Sequence, residues 1–224
     1  MGCSKGREGG VNSREEILAN IRSALGRTAG QPPVSLSQAL LRVPYMDQKS
    51  LIDTFVQNFE KLAGKAIVVP KASDVVPALA NTLDGKTAVA ADAPYLAACG
   101  VLSLPGLRSG FTDRAAWRET CTSADIGIST VDYALAQTGT FVMLASPENP
   151  RLVSLLPPVH IAVIPRSRIV ANLDTLLGVL PLPAQQASSM VLITGPSRTA
   201  DIEQILVRGV HGPGEVYAVI VEQD

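Results

Sequence analysis

The sequence predicts an α/β protein, a three-layer arrangement in which a mainly parallel β-sheet is covered by helices on both faces, with a helical arm at the N-terminus. Three observations predict it. Uninterrupted apolar runs such as HIAVIP at 160–165 and VYAVIV at 216–221 have the length and continuity of strands buried on both faces. These runs alternate with stretches of helical periodicity, as parallel strands require, because a crossover must return the chain to the edge where each strand starts. A length of 224 residues, 46% of them hydrophobic and 17% charged, suits one large core-bearing domain with an appendage and excludes a disordered chain.

Residues 1–12 hold four glycines without periodicity and read as a flexible leader. Ser13 and Glu16 form a capping box, each side chain satisfying a backbone donor at the other's position. Ile17, Leu18, Ile21 and Leu25 then share one helix face, and Gly26 supplies the stop. The proline-containing stretch RTAGQPPVSLSQ follows as a tether, so the helical arm spans 13–38 and the α/β domain 39–224. The apolar face of the arm is expected to pack on the chain's own core or on a partner. A second helix is expected from about Ser50 to Gly64, with Leu51, Ile52, Phe55, Phe59 and Leu62 inward. The remaining order is a strand at 66–70, a helix near 73–82, a strand at 87–91, a short helix from Pro94 and a strand at 101–104. Next come a strand at 124–129, a short helix from Val131 to Ala136 and a strand at 140–146, a connection short enough for an antiparallel insertion. A strand at 160–165, a helix from Ile169 to Leu177, a polar loop at 181–189, a strand at 190–195, a helix from Ala200 to Val207 and a strand at 216–221 complete the chain.

Composition narrows the function classes. With 19 basic and 20 acidic residues the net charge is −1, which removes the electrostatic reason to expect nucleic acid or an anionic membrane as partner. Aromatic residues are 4%, too few for base-stacking platforms. Cys3, Cys99 and Cys121 are widely spaced, with no C-x-x-C pair to ligate zinc or an iron–sulfur cluster. They read as thiols in a reducing compartment. No apolar run is long enough for a membrane span, no secretory signal is visible, and Gly6 stands where a myristoylation signal needs Ser or Thr. A cytoplasmic location is expected. The nicotinamide, flavin and P-loop fingerprints are missing, as are H-E-x-x-H and G-x-S-x-G, so no cofactor or metal is expected on this chain.

Ligands of open α/β sheets collect beyond the carboxyl ends of strands, and four segments are expected there. Gly195-Pro196-Ser197-Arg198-Thr199 follows a strand and precedes the expected helix, with Thr199 as its N-cap. Ser197, Arg198 and Thr199 then either bind an anion, best a carboxylate or single phosphate, or form a structural turn. His211, set among glycines in Gly209–Gly214, is a candidate proton carrier or a hydrogen-bonded structural residue, and His160 is the other imidazole. Thr138, Gly139 and Thr140 form a polar turn able to present amides and hydroxyls to an anion, or simply a tight turn. Glu148, in Ser146-Pro147-Glu148-Asn149-Pro150-Arg151, is a candidate nucleophile or base, or a surface carboxylate.

Four blocks carry a family resemblance: SREEILANIR near the start, ADIGISTVDYALAQTGT in the middle, PPVHIAVIP, and GPSRTADIE with GVHGP near the end. Over residues 13–224 they resemble the lactate-utilisation (LUD) domain family, and within it the bacterial lactate-utilisation C group. The resemblance implies a Rossmann-like fold similar to glucosamine-6-phosphate deaminase, ribose-5-phosphate isomerase and the CoA transferases. It implies a role in oxidising L-lactate to pyruvate together with two iron–sulfur partner proteins. Because this chain lacks redox fingerprints, it is expected to be a non-redox subunit that binds a small carboxylate or assembles the complex. The alternative is a stand-alone enzyme resembling acyl-CoA transferases or folate cyclo-ligases. The transferases use a glutamate in an S-E-N-G-like turn; here the turn reads S-P-E-N-P, with Pro147 inserted and Pro150 in place of glycine.

Overall fold

The computed structural model describes residues 13–32, 45–180, 183–200 and 206–223. The chain divides into two compact units, 1–38 and 39–224. In the first, α1 (Ser13–Ala24) carries Glu15 and Glu16 in its first turn and Arg22 in its last, matching the helix dipole. The chain leaves it through Gly26 at a φ of 62°, the left-handed conformation that ends many helices. The expected leader and the whole of the tether's second half, 33–38, lie outside the described residues.

The second unit opens with α2 (Gln48–Lys61), capped by Asp47, whose carboxylate accepts from the Ser50 amide at 2.7 Å. There follow β1 (Lys65–Lys71), α3 (Val75–Leu83), β2 (Ala88–Ala90), α4 (Pro94–Ala98), β3 (Leu107–Arg108), α5 (Arg114–Ser123), β4 (Ile126–Thr130), β5 (Tyr133–Leu135) and β6 (Thr140–Leu144). Then come α6 (Arg151–Leu155), β7 (Val159–Pro165), β8 (Ile169–Val170), α7 (Leu173–Val179), α8 (Pro183–Gln186), β9 (Met190–Ile193), β10 (Arg198–Ala200), β11 (Leu206–Arg208) and β12 (Glu215–Gln223).

Six strands form a wholly parallel sheet in the order β1-β12-β7-β4-β2-β3. Alternating residues face two cores. Ile126, Ile128, Ile161, Val163, Val219 and Val221 meet α3 and α4 on one face. On the other, Ala162, Ile164, Ala218 and Ile220 meet α2 and a second, four-stranded sheet of order β8-β5-β6-β9. Val89 points to that same face and packs with Trp117 and Cys121 of α5 and Val153 of α6. The strands are apolar on both faces because both faces are covered. Phe55, Phe59 and Phe141 stack where α2 meets the second sheet, with centroids 5.0 to 5.8 Å apart. Among the described residues no helix is long and apolar enough to cross a membrane.

The fold class is as the sequence predicts, and the expected antiparallel insertion is the β5–β6 hairpin. Several elements differ. Val131–Ala136 holds a strand instead of a short helix, because β5 pairs with β6 and β8, and such pairing outweighs the helix preference of alanine and leucine. Residues 101–103 wind a 3-10 turn after Gly100 (φ 76°), and the edge strand comes later, at 107–108. Of the helix expected over 200–207, residues 201–205 lie outside the described residues, and both ends are strand instead: Arg198–Ala200 and Leu206–Arg208 pair antiparallel, with Arg198 opposite Arg208. Thr199 is therefore a strand residue and no N-cap, while Asp201 and Glu203 lie outside the described residues.

Candidate functional site

The six-stranded sheet has one edge where its loops diverge. β2 sends the chain to α4 on one face, whereas its neighbours β3 and β4 send it to α5, the second sheet and α6 on the other. Divergence of this kind opens a crevice at the carboxyl ends. Between the first turns of α5 and α6 lies a cleft of about 670 Å³, lined by Phe111, Thr112, Arg114 and Trp117 on one side and Ala145, Pro147, Pro150, Arg151, Leu152 and Leu155 on the other. Asp113 caps α5 through the Ala116 amide (3.0 Å), which fixes Arg114 at the helix start. The Trp117 indole N–H donates to the Phe111 carbonyl at 2.7 Å, and the two rings meet edge-on at 5.0 Å. Asn149 pins the opposite lip to the sheet: its Nδ2 donates to the carbonyl of Thr130, the last residue of β4, at 3.1 Å. Its Oδ1 is buried without a donor among the described residues. Asp132, just past β4, accepts from the Leu144 amide at 2.6 Å, and burial holds its carboxyl above the usual range despite that bond and the nearby Arg168.

A smaller cavity of about 210 Å³ runs along α6, lined by Arg151, Ser154, Leu155, residues 191–195, Ser197 and Pro213. Its far wall is tied together by main-chain bonds. The Ser197 amide donates to Pro213 O (2.9 Å), the Gly209 amide donates to Ser197 O (3.0 Å), and Ser197 Oγ accepts from the His211 amide at 3.3 Å. Arg151 and Leu155 belong to both cavities.

Against this geometry the sequence-derived candidates separate. Ser197 lines the small cavity, and the His211 loop braces it through the backbone. Arg198 is exposed on β10, with no ion pair among the described residues. Thr138, Gly139 and Thr140 form the β5–β6 turn, which docks on α2. Asn58 Nδ2 donates to Ala136 O and Gln137 O, both at 3.0 Å. Gly139 (φ 59°) lies so close to the Phe59 backbone that a Cβ would overlap it. The hydroxyls of Thr138, Thr140 and Thr194 bond in a chain at 2.8 and 3.0 Å, so Thr140 reaches the small cavity only through Thr194. Glu148 is exposed and lines neither cavity, nor do Thr138, Arg198, Thr199 or His211. The expected common placement at carboxyl ends of the parallel sheet does not hold. The His211 loop sits at the amino edge, where Gly214 donates to Pro158 O just before β7, and the threonine turn belongs to the second sheet.

Sequence reasoning missed Arg114 and Trp117, which line the cleft, and the buried Asn149 and half-buried Asp132 beside its lip, which line neither cavity. The readable signals were the D-R-A-A cap at 113–116 and the Asp two residues past a buried strand. His160 is fully buried in β7, its Nε2 2.8 Å from Ser129 Oγ, its Nδ1 unpartnered among the described residues, and burial lowers its pKa to about 3. It lines neither cavity and is a neutral core residue. Burial pushes the Cys121 thiol up to about 11, which keeps it protonated and unreactive. Among the described residues no cluster of three His, Cys, Asp or Glu side chains is placed to hold a metal.

Comparison with known proteins agrees with the fold and adds the family. The sequence model of the LUD domain matches residues 52–221. The lactate utilization protein C of Halalkalibacterium halodurans is 44% identical over 108 residues, 46% of this chain and 47% of that protein. The protein of that name from Oceanobacillus iheyensis is 28% identical over an alignment of 236 positions, covering 95% of this chain and 99% of that one. In the Halalkalibacterium case the matched stretch spans about half of the relative's length. A crystal structure of a DUF162 family protein from Deinococcus radiodurans superposes with a TM-score of 0.61 at 16% identity, covering 80% of this chain and all of that one. That likeness is one of fold. Because the family match takes in residues 52–221, all of the six-stranded sheet but the last two residues of β12, with both cavities and the loops that line them, this chain belongs to the LUD domain family.

Proposed function

We propose that this chain is a component of a cytoplasmic lactate-utilisation system, in which L-lactate is oxidised to pyruvate and two iron–sulfur partner proteins take up the electrons. In that division of labour this chain holds the small carboxylate or assembles the complex. Membership of the family and the relatives named lactate utilization protein C support the role. The observation that carries substrate binding is the small cavity. Its 210 Å³ is bounded by one guanidinium, Arg151, and by the hydroxyl-bearing Ser154, Thr194 and Ser197. A guanidinium complements a carboxylate by charge-assisted hydrogen bonds, and hydroxyls complement the 2-hydroxyl of the same molecule. In this reading Ser197 orients the ligand, the exposed Arg198 beside Thr199 on the adjoining strand draws it in by charge from outside the cavity, and the Thr138–Gly139–Thr140 turn fixes Thr194. The His211 backbone amide supports Ser197, and its imidazole, outside both cavities, is the acid–base candidate of this reading. The acyl-transfer alternative through Glu148 draws no support from the geometry, since that carboxylate stands outside both cavities.

The test is reconstitution with the partner proteins, reading lactate-dependent dye reduction beside metal and flavin analysis of each subunit. Arg151→Gln and Ser197→Ala are each expected to lower turnover about tenfold or more, the loss of one or two hydrogen bonds to a charged ligand. The melting temperature of Arg151→Gln should change little, because that side chain is exposed, whereas Ser197→Ala also gives up the bond from the His211 amide. Unchanged turnover, or a stoichiometric flavin or cluster on this chain alone, overturns the assignment.

A further inference from the structure

We infer that the larger cleft is a second binding site, specific for an organic anion with a bulky apolar or aromatic body. The inference does not rest on the lactate reading, although the two cavities share Arg151 and Leu155. At 670 Å³ against 210 Å³ the cleft is far too roomy for a three-carbon acid. Its walls are Phe111, Trp117, Pro147 and Leu152, apolar groups that a small polar ligand would leave wetted. The wall is rigid before any ligand arrives. Trp117 is 6% exposed, held by its bond to the Phe111 carbonyl and by the edge-on contact with that ring. Burying a ligand against it therefore costs little ordering entropy.

The charge is equally specific. Arg114 has no hydrogen bond or ion pair among the described residues, and Arg151 has only a 3.4 Å contact to Ser189 Oγ. Two guanidiniums thus flank an apolar slot that no described carboxylate neutralises. A carboxylate, phosphate or sulfonate head between them, with its body along Trp117, satisfies both halves of the site. The position agrees as well, at the carboxyl edge where β2 sends the chain to one face and β3 and β4 to the other.

Trp117 is the only tryptophan in the sequence, so its emission reports on this cleft alone. The full chain is titrated with anilinonaphthalene sulfonate, an anionic aromatic probe, and with uncharged phenylnaphthylamine. The sulfonate is expected to saturate at one equivalent, quench Trp117, and bind about tenfold more tightly than the neutral probe, as one charge-assisted contact provides. Arg114→Gln should remove that difference and leave the neutral probe unaffected. Equal affinity for the two probes, an indifferent Arg114→Gln variant or an unresponsive Trp117 would each refute the site. Displacement of the sulfonate by lactate would merge the two cavities into one and refute it too. Failure of lactate to bind anywhere, with the sulfonate still held by Arg114, would instead refute the lactate reading and leave this site standing.

Discussion

Replacing Gly127 with alanine is expected to destabilise the protein by about 3 kcal/mol or more, whereas the same replacement at Gly178 should stabilise it by about 0.5–1 kcal/mol. Gly127 is the second residue of β4, where α6 crosses the sheet. A Cβ there would overlap the Val153 carbonyl oxygen and press on Pro157, whose side chain would lie 3.0 Å away. A backbone carbonyl cannot rotate aside as a flexible side chain can, so α6 must lift from the sheet and take Val153 out of its cluster with Val89, Trp117 and Cys121. Gly178 lies in α7 with nothing within 4 Å of a built Cβ and without a positive φ. There alanine only relieves the entropy cost of glycine in a helix. Urea or thermal melts of the two variants measure the pair. Because α6 also carries Arg151 and Leu152, Gly127→Ala should quench less in the probe titration even where it folds. Destabilisation at both glycines to the same extent would mean that helix propensity and backbone entropy, not the α6–β4 approach, set the cost.

How much of this was legible in the sequence depends on what each segment answers to. Five of the six parallel strands announced themselves as continuous apolar runs, since cover on both faces leaves no polar alternation; the edge strand β3, only Leu107–Arg108, carries no such run. α2 and α3 were legible because one face of each is apolar at helical spacing. What failed was local preference overruled by pairing. Tyr133–Leu135 and Arg198–Ala200 have no strand pattern of their own and become strands because β6, β8 and β11 present them with open backbone partners. The site divided along the same line. Ser197 was found because a glycine turn after an apolar strand is a local feature. Arg114 and Arg151 stand 37 residues apart on two short helices, and only the sheet brings them to one cleft. Gly139 was singled out for ligand binding, yet its absent side chain serves contact with Phe59; a glycine in a turn looks alike in sequence whether an anion or a helix approaches it.

Acid should weaken this protein well above the pH at which its carboxylates protonate, and His160 should be the cause. The imidazole is fully buried between the parallel sheet and Phe141, and burial lowers its pKa from 6.5 to about 3. The unfolded chain therefore binds a proton below pH 6.5 that the folded chain refuses down to about 3. Its full share of stability is present above 6.5 and is lost as the pH falls through that window, at about 1.4 kcal/mol per pH unit. Between pH 7.5 and 5 the expected loss is roughly 2 kcal/mol, readable in urea melts. The groups with lowered carboxyl pKa values, Asp47, Asp125 and Glu215, give up their contributions only when they protonate, at lower pH. The raised Asp132 acts in the opposite sense, since its folded form takes up the proton more readily, so it cannot produce the loss. His160→Leu alone strands the Ser129 hydroxyl in the core and should cost about 1–3 kcal/mol at neutral pH, whereas His160→Leu with Ser129→Ala removes both polar partners and should recover much of that. Both variants should lose the acid-side slope between pH 6.5 and 5. A slope as steep in the double variant as in the parent would show that another group, not this buried imidazole, senses the acid.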